Sequence, residues 1–219
     1  MSLNSSGSGT FTDTTATATY RNYRASITSA PQQFSCNTVG YVDLIMPAMN
    51  SMIANQLNNP SGNTVAVVFS SAPNGTTIYK WNETTQQYDT NTYVSGFGWS
   101  APTMTLAPGE GVFINAGVVW TNTLTGEVPL GYRVSATPAG LSLRSSTVPQ
   151  AGRVTTDLGL PALDGDTIYR LVNGAYVSYS YSNSSAAWLP SEPSMAVGES
   201  FWISRSAALN WPRNFLIWK

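Results

Sequence analysis

The stretch Asn74-Gly75-Thr76-Thr77-Ile78-Tyr79-Lys80-Trp81 returns about 90 residues later as Asp164-Gly165-Asp166-Thr167-Ile168-Tyr169-Arg170-Leu171. Working outward, Tyr88 and Tyr93 have counterparts in Tyr176 and Tyr181, and Trp99 in Trp188. Further on, Leu106-Ala107-Pro108-Gly109-Glu110-Gly111-Val112-Phe113-Ile114 matches Met195-Ala196-Val197-Gly198-Glu199-Ser200-Phe201-Trp202-Ile203. Landmarks recurring in one order at a nearly constant offset mark an internal duplication. The chain divides into an N-terminal extension (1–36), a first unit (37–128) and a second (129–219).

The local chemistry of each unit is that of strands and turns. Asn74-Gly75 and Asp164-Gly165 favour positive φ, and each precedes a Thr-Ile-Tyr run suited to a pleated, half-buried surface. Pro108-Gly109-Glu110-Gly111 reads as a tight turn feeding an apolar strand, Val112-Phe113-Ile114, whose copy is Phe201-Trp202-Ile203. Met46, Met49, Met52, Ile53 and Leu57 stand at helical spacing, but the equivalent Gly140-Leu141-Ser142-Leu143-Arg144-Ser145 alternates with the period of a strand. Since two copies share one structure, both are read as strands. A short helical turn is expected only near Val65–Phe69 and Val154–Leu158. The fold expected is all-β: two tandem homologous β-sandwich or small β-barrel units behind an N-terminal extended strand.

Composition narrows the chemistry. Of 219 residues, 42% are hydrophobic and 11% aromatic, enough for buried cores; only 10% are charged, with a net charge of -1, which speaks against nucleic acid as a partner. There is no histidine, and Cys36 is the single cysteine, so Ser-His-Asp and Cys-His catalysis, His-ligated zinc and intrachain disulfides are excluded by inventory. Ser, Thr and Asn make up roughly a third of the chain and lysine occurs only at 80 and 219, a profile of extracellular β proteins. The first ten residues show neither the basic region nor the apolar run of a Sec-type signal, and no window has the apolar length of a membrane span.

Several strings resemble a family of small, uncharacterised exported proteins typical of verrucomicrobial-type environmental bacteria. In the first unit they are Val39-Gly40-Tyr41-Val42, Ile53-Ala54-Asn55-Gln56-Leu57-Asn58-Asn59, Gly75-Thr76-Thr77-Ile78-Tyr79-Lys80-Trp81 and Leu106-Ala107-Pro108-Gly109-Glu110-Gly111. Later ones are Gly126-Glu127-Val128-Pro129, Val148-Pro149-Gln150-Ala151-Gly152 and Asp157-Leu158-Gly159-Leu160-Pro161. The resemblance spans nearly everything from about residue 36 onward and implies export and a duplicated β module. It brings no cofactor and no catalytic residue with it.

Carboxylates are the only credible catalytic groups, and Glu110 with Glu199 is the pair a glycosidase-like reading would use. Their equivalent positions in the two copies favour a turn-capping role instead. Asp157, Asp164 and Asp166 form the only acidic concentration, without EF-hand spacing, so no metal and no cofactor is expected. The segment from Thr10 to Tyr20 alternates small and β-branched residues and can form a strand. Phe11, Thr15, Ala16, Thr17, Ala18 and Tyr20 are the candidate assembly residues, pairing with their own first unit or with another copy. The expectation is a non-enzymatic, extracellular or cell-surface structural protein that self-associates as a homo-oligomer or polymer. The alternative is a secreted carbohydrate-binding module with a glycan partner, using Trp81, Trp99, Trp120, Trp188 and Tyr179.

Overall fold

The computed structural model describes residues 13–14, 17–27, 33–34 and 37–216. The chain is all-β, with one short helix among the described residues. It opens with β1 (Tyr20–Tyr23), β2 (Ser26–Ile27) and β3 (Gln33–Phe34). The first unit follows with β4 (Val39–Met46), β5 (Ser51–Ala54), α1 (Val65–Val68), β6 (Thr77–Asn82), β7 (Gln87–Val94), β8 (Gly98–Trp99), β9 (Gly111–Asn115) and β10 (Trp120–Glu127). The second unit runs β11 (Gly131–Thr137), β12 (Gly140–Arg144), β13 (Gly152–Arg153), β14 (Thr167–Val172), β15 (Ala175–Ser182), β16 (Ala187–Leu189), β17 (Ser194–Met195), β18 (Phe201–Arg205) and β19 (Leu209–Phe215).

The main sheets have the same order of corresponding strands, β5-β9-β6-β7-β8 in one and β12-β18-β14-β15-β16 in the other, all antiparallel. The β4–β10 pair corresponds to β11–β19. Gly75 and Gly165 have φ of 83° and 81°, a conformation that glycine adopts without a Cβ penalty, so each turn delivers its Thr-Ile-Tyr strand as expected. The strand reading of Met46 to Leu57 holds: β4 and β5 flank an exposed corner at Met49.

The central strands of the main sheets are covered on both faces, which is why β9 and β18 read as continuous apolar runs rather than alternating ones. Val112 and Ile114 face the first core with Ile78, Leu57, Leu106 and the β4 side chains Val42, Leu44 and Met46. Phe201 and Ile203 face the second core with Ile168, Leu158, Leu160 and Trp211. Between the sheets, Met52, Phe113, Leu143 and Trp202 are buried together, with Tyr79, Trp81, Tyr169 and Leu171 against them.

Main-chain bonds stitch the seam with pseudo-twofold logic. Ile53 bridges Glu199 while its counterpart Arg144 bridges Glu110. Ala54 N–H donates to Gly198 O at 2.9 Å and Ser145 N–H to Gly109 O at 3.0 Å. Gly109 has φ of 98°, as a turn demands, but Gly111 lies in β9 and serves another purpose. A Cβ there would come within 2.6 Å of the Cβ of Ser200, its own counterpart across the pseudo-axis.

One local expectation is corrected. Val65–Val68 is helical, but Val154–Leu158 forms turns rather than a helix. The Glu192 carboxylate accepts the N–H groups of Thr155 and Thr156, each at 2.7 Å, and Asp157 accepts that of Arg153 at 2.8 Å. Those side chains cap donors that any first turn leaves free; what interrupts the helix is that Leu158 N–H closes on Arg153 O and Leu160 N–H on Val154 O, both at 2.9 Å, in place of consecutive i→i+4 bonds.

Candidate functional site

The N-terminal segment is held by strand geometry and by one tyrosine. β1 pairs antiparallel with β4 of its own chain, Tyr20 opposite Val42 and Tyr23 opposite Val39, forming the edge of the β1-β4-β10 sheet. Asp43 N–H donates to Thr19 O at 2.7 Å, extending the ladder one step beyond β1. Tyr41 OH donates to Ala18 O at 2.8 Å, and the Tyr41 ring stacks on Tyr23 with centroids 6.5 Å apart. Asp13 folds back to accept from Arg21 and from Tyr23 OH, the latter at 2.9 Å. Burial first, then the Asp13 carboxylate, pushes the Tyr23 hydroxyl above the usual tyrosine pKa. Gly40 admits this strand, because a Cβ there would meet Asn22 Oδ1 and lie 2.7 Å from Arg21 O.

Of the residues singled out for assembly, Tyr20 begins β1 and is 40% exposed, while Thr17 and Ala18 lie exposed just before it. Phe11, Thr15, Ala16 and Cys36 fall outside the described residues. The aromatic candidates do not form one surface. Trp99 and Trp188 are 6% and 3% exposed, which corrects their assignment to a glycan face: they fill the duplicated cores, each indole N–H satisfied, by Phe69 O at 3.2 Å and Thr155 Oγ1 at 2.9 Å. Trp120 packs edge-on against Phe69 under the first core, and Tyr179 against the second. Trp81 is half-buried in the seam, donating to Leu141 O at 3.0 Å and meeting Trp202 and Tyr88 edge-on. Sequence reasoning passed over Tyr88 and Tyr176 as a surface pair. They are equivalent residues, 42% and 53% exposed, and burial followed by the neighbouring Tyr176 raises the pKa of the Tyr88 hydroxyl. Their equivalence in the repeat was the signal available.

The carboxylates are occupied locally. Glu110 accepts from Ala107 N–H at 2.7 Å and pairs with Lys80 at 2.9 Å; Glu199 accepts from Ala196 N–H and binds Arg170 through both oxygens. Each closes the turn that precedes a central strand. Asp157, Asp164 and Asp166 go to Arg153, to the Asn183 N–H and to Arg205 respectively. Among the described residues, no group of three potential metal ligands clusters. A groove of about 530 Å³ lies at the seam, between the Met49 corner and the Asn173-Gly174 turn. Its two carboxylates are engaged, Asp43 by Thr123 and Glu199 by Arg170.

No helix among the described residues is long and apolar enough to cross a membrane. No protein-family model, curated protein or solved structure matches this chain.

Proposed function

We propose that the protein is a non-enzymatic structural subunit of the cell surface or extracellular space that self-associates through its N-terminal strand, building a filament or sheath. The observation carrying this reading is that β1 sits as an added edge strand, joined to the body by main-chain pairing with β4 and by contacts centred on Tyr41. The same bonds can be made to another copy with no net change in ladder pairing, so concentration and linker entropy decide between closed and exchanged forms. A sparsely charged, Ser/Thr/Asn-rich composition, with 10% charged residues and a net charge of -1, lowers the repulsion between identical subunits. Export and a surface location rest on that composition and on the family resemblance of residues 36 onward.

The test compares the full chain with one lacking residues 1 to 20, by light scattering and negative-stain microscopy at matched concentration. Polymers from the full chain and folded monomers from the truncation are expected. Identical folded monomers from both would overturn the reading. The exposed, symmetry-related pair Tyr88 and Tyr176 favours the carbohydrate-binding alternative, with Trp81 beneath Tyr88. Glycan binding that Tyr88→Ala and Tyr176→Ala abolish would move the conclusion there.

A further inference from the structure

The two units differ at one sheet edge. In the first, β4 lies between β10 and β1; in the second, the equivalent β11 pairs, among the described residues, with β19 alone. The strands themselves correspond, Gly40-Tyr41 matching Gly131-Tyr132 by register and by sequence. Yet Tyr41 is half-buried beneath the N-terminal segment, whereas Tyr132 is 70% exposed and Val134 is 48% exposed. A Cβ on Gly40 would strike the strand lying over it, while one on Gly131 would meet nothing within 4 Å.

Alongside β11 runs a groove of about 300 Å³ whose lining includes Pro108, Glu127, Arg133, Val134 and Thr147. Consecutive strand residues point to opposite faces, so a groove touched by both Arg133 and Val134 follows the strand's edge.

We propose that the open edge of β11 is the acceptor for β1, Tyr20–Tyr23, of a second copy, together with the Thr19 carbonyl just before it. The inference rests on the self-association reading and names its partner surface. By the equivalence of β4 and β11, Tyr20 would lie opposite Arg133 and Asn22 opposite Gly131, with the Val134 N–H taking the role of Asp43 N–H. Donor and acceptor lie at different places on each subunit, so the contact is heterologous and propagates head to tail.

The experiment adds a synthetic peptide of residues 13–24 to the full chain, whose β4 edge is already covered, and follows amide hydrogen exchange. Protection of Tyr132 and Val134 is expected, and Val134→Pro, which deletes an outer-edge donor without touching the β19 ladder, should weaken peptide binding by more than about tenfold. Tyr132→Asp is the second variant, placing a charge on the edge without altering the backbone, with the same loss expected. Absence of protection, or unchanged binding by both variants, would overturn the acceptor assignment. Assembly of the full chain that persists in both variants also sinks the acceptor while leaving self-association intact. A monomeric full chain whose β11 still captures the peptide sinks self-association and leaves the acceptor standing.

Discussion

The first unit puts Thr76, Ala116 and Met46 where the second puts Asp166, Arg205 and Thr137, and all six are buried. Thr76 needs only to donate its hydroxyl to Pro73 O at 2.8 Å, since proline has no N–H to satisfy. The second unit has Leu163 in place of Pro73, and its N–H is accepted by Asp166 Oδ2 at 2.9 Å. That buried carboxylate then holds Arg205 at 2.8 Å, and the guanidinium also donates to Pro161 O and to Thr137, the counterpart of Met46. Arg205 Nε and Asp166 Oδ1 have no hydrogen-bond partner among the described residues. Burial lowers the Arg205 pKa, with Asp166 opposing the shift. One fold therefore accepts an apolar solution and an ionic one, and the ionic one creates a dependence between partners that the apolar one lacks.

The largest effect should come from breaking that pair. Asp166→Ala leaves Arg205 buried and unpaired and should cost about 3–5 kcal/mol in urea unfolding. Importing the first unit's whole solution, Leu163→Pro and Asp166→Thr with Arg205→Ala and Thr137→Met, should return stability to within about 1.5 kcal/mol of the parent or above it. A quadruple variant as unstable as Asp166→Ala would show that the two sites are not interchangeable.

Next in size is Trp211 against its counterpart Asn122. Trp211 fills the second core and donates to Leu158 O at 2.8 Å; Asn122 donates to Val68 O at 3.0 Å and fills little. Trp211→Ala should cost about 3–5 kcal/mol, and Asn122→Ala about 1–3 kcal/mol from the carbonyl left unpaired. Equal losses would break the comparison.

A smaller, pH-dependent difference belongs to Glu192, which occupies the second unit only. Burial raises its pKa, but the bonds from Thr156 and Thr155, with Arg153 nearby, outweigh this and leave it below the ordinary glutamate value. A lowered folded pKa contributes stability that is complete above the unfolded pKa and lost as pH falls through the folded one. Glu192→Gln should therefore reduce stability near neutrality and flatten its decline below the ordinary glutamate range. An acid limb identical to the parent's would refute this.

The smallest effect concerns the two tyrosines. Tyr41→Ser should release the N-terminal segment, seen as lost amide protection in β1. Tyr132→Ser should change the stability of the isolated chain by no more than about 0.5 kcal/mol. Loss of β1 protection in both variants would mean that Tyr132 also supports the body of its own chain.

Much of the fold was legible because the repeat supplied a second sample of every ambiguous stretch. Helical spacing at Met46 to Leu57 was overruled by the alternating copy at Gly140 to Ser145, and β4, β5 and β12 follow that reading. The same logic misled at Val154, where a short helical turn was expected in both copies although the Leu158 and Leu160 N–H groups close wider turns on Arg153 O and Val154 O. Candidate aromatics were harder. Trp99 and Trp188 are buried and Trp81 lies in a seam, because periodicity reports which face a side chain shares and not what covers that face.

By itself the sequence determined the all-β class, the recurrence of the same strands and turns along the chain and the turns that Gly75 and Gly165 permit, since these follow from local backbone preference and from repetition; the order of strands in the sheets came from the tertiary structure. Only the tertiary structure decided what happens where copies meet or diverge. Gly111 and Ser200 are equivalent residues that touch across the seam, and there is room for one side chain where strict symmetry would place two. Likewise β4 has a covering strand and, among the described residues, β11 has none. One N-terminal extension serves two equivalent edges, and a single chain can close only one of them.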